Sequence, residues 1–110
     1  MTNDLNLICN RIDALFVRAP RVRYWLLIVD DAYDQTYNFF FESRQKAHRT
    51  RSTPLHTIER HDLGYLETII NGVQQHTQLT QHFKGFTGQR WPRSQRIIQR
   101  KKDADEERTL

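Results

Sequence analysis

Apolar side chains at Leu5, Ile8, Ile12, Leu15 and Phe16, with Cys9 beside them, recur every three or four residues and predict an amphipathic first helix. Thr2 or Asn3 offers a capping oxygen, Asp4 suits the positive end of the helix dipole, and Ala19-Pro20 stops the pattern. The chain then changes period. Arg23 to Val29 is β-branched and aromatic with apolar residues on both faces, the pattern of a strand set centrally in a sheet. Asp30 to Gln35 reads as a turn and Thr36 to Phe41 as the returning strand of an antiparallel hairpin. Ser43 is placed to cap a short helix through Arg44, Lys46, Ala47 and Arg51, ended before Pro54. Leu55 to Glu59 fits either an edge strand or an extended linker.

Asp62 is positioned to cap the next helix, whose stripe is Leu63, Leu66, Ile69, Ile70 and Val73. His76, Leu79 and Phe83 extend that stripe. The expectation is therefore one continuous or slightly kinked helix through Gly72, which costs only about 1 kcal/mol relative to alanine. A glycine-punctuated loop from Lys84 to Trp91 leads to Pro92, which suits the first turn of a final polar helix with Arg93, Arg96 and Arg100 on one stripe. Its far end, Asp103 to Glu107, is acidic.

These elements predict an α+β fold: an N-terminal helix, an antiparallel β-hairpin with room for a third strand, helices packed on one sheet face, and a polar C-terminal helix. At 110 residues the chain is sized for one domain. Residues 1–83 are expected to form the compact core, and residues 84–110 a basic loop and polar helix or tail of the same domain.

Charge divides the chain more sharply than hydropathy. Residues 1–42 hold four basic and six acidic side chains, residues 43–110 thirteen and seven, and the net charge is +4. Between Lys84 and Lys102 there are seven positive side chains and no negative one: Lys84, Arg90, Arg93, Arg96, Arg100, Lys101 and Lys102. Phe86 and Trp91 are interleaved with them. A run of one sign repels itself and favours a polyanion, while flat rings beside guanidinium groups offer stacking platforms for unpaired bases. Arg44, Lys46, Arg49 and Arg51 form a second basic group, which would extend the surface if both shared one face.

Candidates for other chemistry are weaker. Asp30-Asp31-Ala-Tyr-Asp34 has the DDxxD spelling of a magnesium–diphosphate motif, but at a hairpin tip aspartates serve local turn bonding. Asp30 or Asp31 followed by Glu42-Ser43-Arg44 approximates a D…ExK nuclease pattern, with an arginine that cannot shuttle protons in place of the lysine. The five histidines lack metal-ligand spacing, and Cys9, the only cysteine, sits on an apolar stripe. No phosphate-cradling glycine loop is present. The chain is thus expected not to be an enzyme and to need no metal or cofactor. Without a basic leader followed by an apolar stretch, or an apolar run long enough to cross a bilayer, cytoplasmic residence and no membrane partner are the expectations.

The function read from this pattern is a small non-enzymatic nucleic-acid-binding accessory or regulatory protein. It would use Lys84, Phe86, Arg90, Trp91, Arg93, Arg96, Arg100 and Lys101, with Arg44, Lys46, Arg49 and Arg51. The alternative is a protein-interaction module, an inhibitor or adaptor of the kind mobile elements carry, that uses Tyr24, Trp25, Tyr33 and Tyr37 of the aromatic hairpin. A homodimer that enlarges the core through the sheet edge is a further expectation.

Overall fold

The structure, a computed structural model, describes residues 3–16, 21–86 and 88–98. It is α+β: α1 (Asn3–Leu15), β1 (Val22–Asp31), β2 (Thr36–Gln45), β3 (Arg51–Ile58), α2 (Leu63–His76) and β4 (Thr80–Lys84). The sheet has strand order β3-β2-β1-β4 and is mixed. β1 and β2 pair antiparallel from Val22↔Gln45 to Asp31↔Thr36, and β3 continues antiparallel on β2. β4 lies parallel to β1, with Trp25 opposite Thr80 and Val29 opposite Lys84. No helix among the described residues is long and apolar enough to cross a membrane.

Strand alternation sorts the side chains onto two faces. Leu26 and Ile28 of β1 and Tyr37, Phe39 and Phe41 of β2 point to one face, and all five are buried. Ile8 and Ile12 of α1 and Leu66, Ile69, Ile70 and Val73 of α2 join the same buried cluster. Gly72 sits inside α2 because α1 is close there. A Cβ at this position would run into a Leu5 methyl group, so the glycine is the contact point between the two helices. Asp4 ties three elements together. One of its carboxylate oxygens accepts from His56 Nε2 of β3 at 2.6 Å, the other from the Tyr65 hydroxyl of α2. Burial alone would push the Asp4 carboxyl up, but these two hydrogen bonds and the neighbouring imidazole hold it below its usual value.

Three sequence expectations are corrected. The helix that starts after Asp62 stops at His76, and residues Thr80–Lys84 form a strand. Leu79 and Phe83 are four apart, a spacing that keeps one face of a helix and equally one face of a strand. The open edge of β1 decides between them, since its unpaired backbone groups gain a partner. Residues 43–51 form no helix: β2 runs on to Gln45, His48 N–H closes a turn on Gln45 C=O, and β3 begins at Arg51. The polar helix expected after Pro92 is absent from residues 92–98, and its remainder lies outside the described residues. That segment instead folds back on itself through an Arg90↔Ile97 bridge. Phe86 and Ile98, at its two ends, are both in the core.

Candidate nucleic-acid interface

The route from β4 into the last described segment is set by one glycine. Gly85 has φ +88°, and a Cβ there would stand 2.8 Å from the Asp30 carbonyl oxygen. The reversed chain drives Phe86 into the core, wholly buried, stacked on Tyr37 at 5.9 Å and edge-on to Phe83 at 5.7 Å. Burial, with Asp30 and Asp62 nearby, pushes the Tyr37 phenol up to about 12. Gln89 Nε2 donates to Asp30 Oδ2 at 3.0 Å, while His61 Nε2 donates to Asp30 Oδ1 at 2.7 Å. Each oxygen of Asp30 thus holds one loop, and the side chain fastens the two together.

Beyond Gln89 the chain makes a tight loop. Trp91 N–H donates to Arg96 C=O at 2.9 Å, and the Arg90 guanidinium donates to Gln95 C=O at 2.9 Å. Glu67 of α2 holds this loop from below. Its side chain is buried, and its two oxygens accept from the backbone N–H groups of Arg93 at 2.8 Å and Ser94 at 3.2 Å. Charge-assisted bonds of this kind are among the stronger ones available to a loop.

Between this loop, β4 and the C-terminal half of α2 lies a cleft of about 680 Å³. Arg93, Ser94, Arg96 and Ile97 form one wall, Asn71, Gln74 and Ile70 the other, and Gln81, Phe83 and Trp91 complete the lining with Glu67. Arg93 and Arg96 are exposed. None of the ion pairs among the described residues involves either of them. Gln74 Nε2 donates to Gln81 Oε1 at 3.3 Å, and Gln81 Nε2 is buried with no hydrogen-bond partner among the described residues.

Not all the sequence-predicted residues meet here. Arg93, Arg96 and Trp91 line the cleft. Phe86 is corrected from a base-stacking residue to a core residue, because its ring has no exposed surface. Trp91 is half-buried against Phe83 at 5.6 Å. Arg90 is engaged with its own loop, and Lys84 stands exposed at the end of β4. Arg100 and Lys101 lie outside the described residues. Arg44, Lys46, Arg49 and Arg51 do not join them. They cluster where β2 ends and β3 begins, and Arg44 pairs in register with Arg23, whereas Lys84 is opposite Val29. Six register steps separate those ends, on the order of 20 Å. The second basic group, whose adjacency to the first the sequence left open, is thus separated from Lys84, and none of its members lines the cleft.

The carboxylate patterns also come apart. Asp30 shares the inward face with its register partner Tyr37, while Glu42 faces outward and accepts from Trp25 Nε1 at 2.8 Å. A D…ExK centre needs both on one side, which excludes Asp30; Asp31 shares the outward face with Glu42 but lies six register steps from it, on the order of 20 Å. Asp31 Oδ1 accepts from Asp34 N–H at 3.1 Å, so the hairpin aspartates serve the turn. No group of three or more potential metal ligands gathers among the described residues.

Sequence reasoning missed Glu67, Asn71, Gln74 and Gln81. A signal existed for the first, because Glu67 interrupts the buried stripe of α2 one turn after Leu63 and one turn before Ile70 and Asn71. Gln74 opens an amide-rich stretch that runs to Gln78, but nothing local indicates that β4 brings Gln81 beside it. Comparison with protein-family models, with curated proteins and with solved structures gave no match.

Proposed function

We propose that this chain is a non-enzymatic nucleic-acid-binding protein that takes single strands into the cleft between α2, β4 and the loop of residues 89–98. The observation that carries this reading is the meeting of two exposed arginines, Arg93 and Arg96, in no ion pair among the described residues, with the Trp91 ring and three side-chain amides in one concave site. Guanidinium groups are suited to phosphates, indole to base faces, and amides to base edges. The cleft lies within the usual range of ligand pockets, roughly 300–1,000 Å³. Arg44, Lys46, Arg49 and Arg51 do not line this site.

Replacing Arg93 and Arg96 together by glutamine is expected to weaken binding of a labelled single-stranded oligonucleotide about 100-fold at low salt, about tenfold per lost charge-assisted contact. The slope of log affinity against log salt should become shallower by about 1.4, since about 0.7 is contributed per phosphate on single strands. Fluorescence anisotropy at several salt concentrations measures both quantities. Wild-type protein that binds neither RNA nor DNA single strands, or binds without salt dependence, would refute the reading.

A second reading rests on the opposite face of the sheet. Trp25, Leu27 and Val29 of β1 and Phe40 of β2 alternate away from the helices and do not belong to the core cluster. Tyr37 and Tyr24, expected as interface anchors, are instead used internally: Tyr37 is buried, and Tyr24 packs between Phe16 and Phe41. The occupant proposed for this face is a second copy of the chain. Along the two central strands, Arg44 flanks one end of the patch and Asp31 the other, so two copies stacked with strands reversed bring opposite charges together. Sheets pack face to face at about 10 Å in this way. Leu27→Glu should convert a dimer to a folded monomer by light scattering. Wild-type protein that sediments as a monomer at all concentrations would remove this reading and leave the first untouched.

A further inference from the structure

We infer that the end of the sheet where β2 passes into β3 is a second binding surface, whose ligand is duplex DNA gripped through its phosphates by Arg21, Lys46, Arg49 and Arg51. The cleft takes no part in it, so it goes beyond the single-strand reading and does not depend on it.

The inference starts from charge with no local answer. From Ser43 to Ile58 the chain carries four cations, Arg44, Lys46, Arg49 and Arg51, and no carboxylate. The carboxylate just before them, Glu42, accepts from the Trp25 indole. Arg21, one residue ahead of β1, is brought to the same end because Val22 pairs with Gln45. Arg21, Lys46, Arg49 and Arg51 are all exposed, and none is in an ion pair among the described residues. Like charges gathered in this way raise one another's potential and attract a polyanion.

The shape of the surface fits a groove. Every residue from Gln45 to Pro54 is exposed. The last rungs of the sheet here are Val22↔Gln45 and Ser43↔Arg51, so residues 46–50 project beyond it. The projecting loop is tied internally: His48 N–H donates to Gln45 C=O at 2.9 Å, and Arg44 Nε donates to His48 C=O at 3.3 Å. A loop held in this way has less freedom to lose on binding. Arg21 and Arg51 flank it on either side of β2, two strand spacings apart across the sheet, on the order of 10 Å. The major groove of B-form DNA is about 12 Å wide, so the loop can enter it with cations toward the phosphates of both strands.

Composition favours a duplex over a single strand. Between Arg44 and Thr57 there is no phenylalanine, tyrosine or tryptophan, so the stacking platforms that hold unpaired bases are missing. Serine, threonine and glutamine stand among the cations instead, groups that bond phosphate oxygens. Duplex DNA presents those phosphates densely, about one charge per 1.7 Å of axis. The major groove of duplex RNA is too narrow for the loop.

The test titrates the full chain by anisotropy against a fluorescent DNA duplex, an RNA duplex of the same sequence and labelled polyglutamate, at about 50 and 200 mM salt. The triple variant Lys46→Gln, Arg49→Gln, Arg51→Gln should make the slope of log affinity against log salt on the DNA duplex shallower by about 2.7, at about 0.9 per phosphate. Over that range of salt, wild-type affinity should fall about 40-fold more than the variant's. Each single substitution should lower the slope by about 0.9 and serves if the triple variant does not fold. Replacing Arg93 and Arg96 by glutamine should leave the duplex slope at its wild-type value. Wild-type protein that binds no DNA duplex, that binds the RNA duplex or polyglutamate equally well, or whose triple variant keeps the full slope overturns the inference and leaves single-strand binding standing. A duplex slope reduced by the Arg93 and Arg96 substitutions places the duplex at the cleft and overturns it as well. Loss of single-strand binding alone overturns only the cleft reading.

Discussion

Phe86→Ala is expected to lower the free energy of unfolding by about 3–5 kcal/mol, the usual cost of truncating a buried phenylalanine. Phe86 has no exposed surface and touches three aromatic neighbours, Tyr37, Phe83 and Trp91. Truncation would open a cavity bounded by rigid rings, and rings relax poorly into a void. A domain of this size has only about 5–15 kcal/mol in total, so the variant should sit near its stability threshold. Phe86→Leu keeps most of the volume and should cost less, about 1.5 kcal/mol. The urea midpoints of the two variants measure this difference, and the leucine variant tests function as well. If Phe86 acts only as core, folded Phe86→Leu should bind oligonucleotide like wild type. Loss of binding at wild-type stability would show that the ring meets the ligand, contrary to its position.

Phe86 also illustrates where sequence reading succeeded and where it failed. Its neighbours in sequence are a lysine, two glycines and an arginine, and an aromatic residue in such company resembles an exposed platform. What places it inside is the positive φ at Gly85, together with the cavity between Phe83, Tyr37 and Trp91, which is assembled from residues up to 54 positions apart. Local pattern carried much of the rest of the core. The stripe Leu5, Ile8, Ile12 and the run from Tyr24 to Val29 each signalled their element locally, the first by its helical period and the second by its β-branched and aromatic composition. So did the beginning of α2, where Asp62 accepts from the N–H groups of Gly64 and Tyr65, which also keep its carboxyl below the usual value.

The missed elements share a different cause. β4 and the extension of β2 to Gln45 are polar segments whose conformation is settled by the strand beside them, and pairing with a neighbour outweighs weak local preference. The same applies to residues 92–98. Two isoleucines and a row of arginines gave no reason for a reversed loop, because the reason is Glu67 on α2. The charge map failed likewise. Counting cations along the chain places Arg44 and Lys84 in one class, but strand direction sends these two to opposite ends of the sheet.

Glu67→Gln should cost about 2–4 kcal/mol of stability and should weaken oligonucleotide binding, even though it removes a negative charge from a cleft proposed to hold phosphates. The two outcomes have one origin. Glu67 accepts from two backbone N–H groups at once, and glutamine can accept with its carbonyl oxygen only; its NH₂ group would point at the second N–H as donor against donor. Each such bond to a buried charged acceptor is worth about 1.5–3 kcal/mol, and the displaced N–H loses its partner as well. Without that anchor the loop of residues 91–96 is held by its internal bonds and by the Arg90 guanidinium, none of which fixes it against α2. Arg93 and Arg96 would then lose their position relative to the amides across the cleft. If binding depended on net charge alone, neutralising Glu67 would tighten it. Placement predicts the reverse, with a salt slope preserved because both arginines are still present. Anisotropy titrations of folded Glu67→Gln at two salt concentrations separate these cases. Tighter binding would show that the cleft acts as a diffuse cationic patch, and weaker binding with an unchanged slope that its geometry matters as well as its charge.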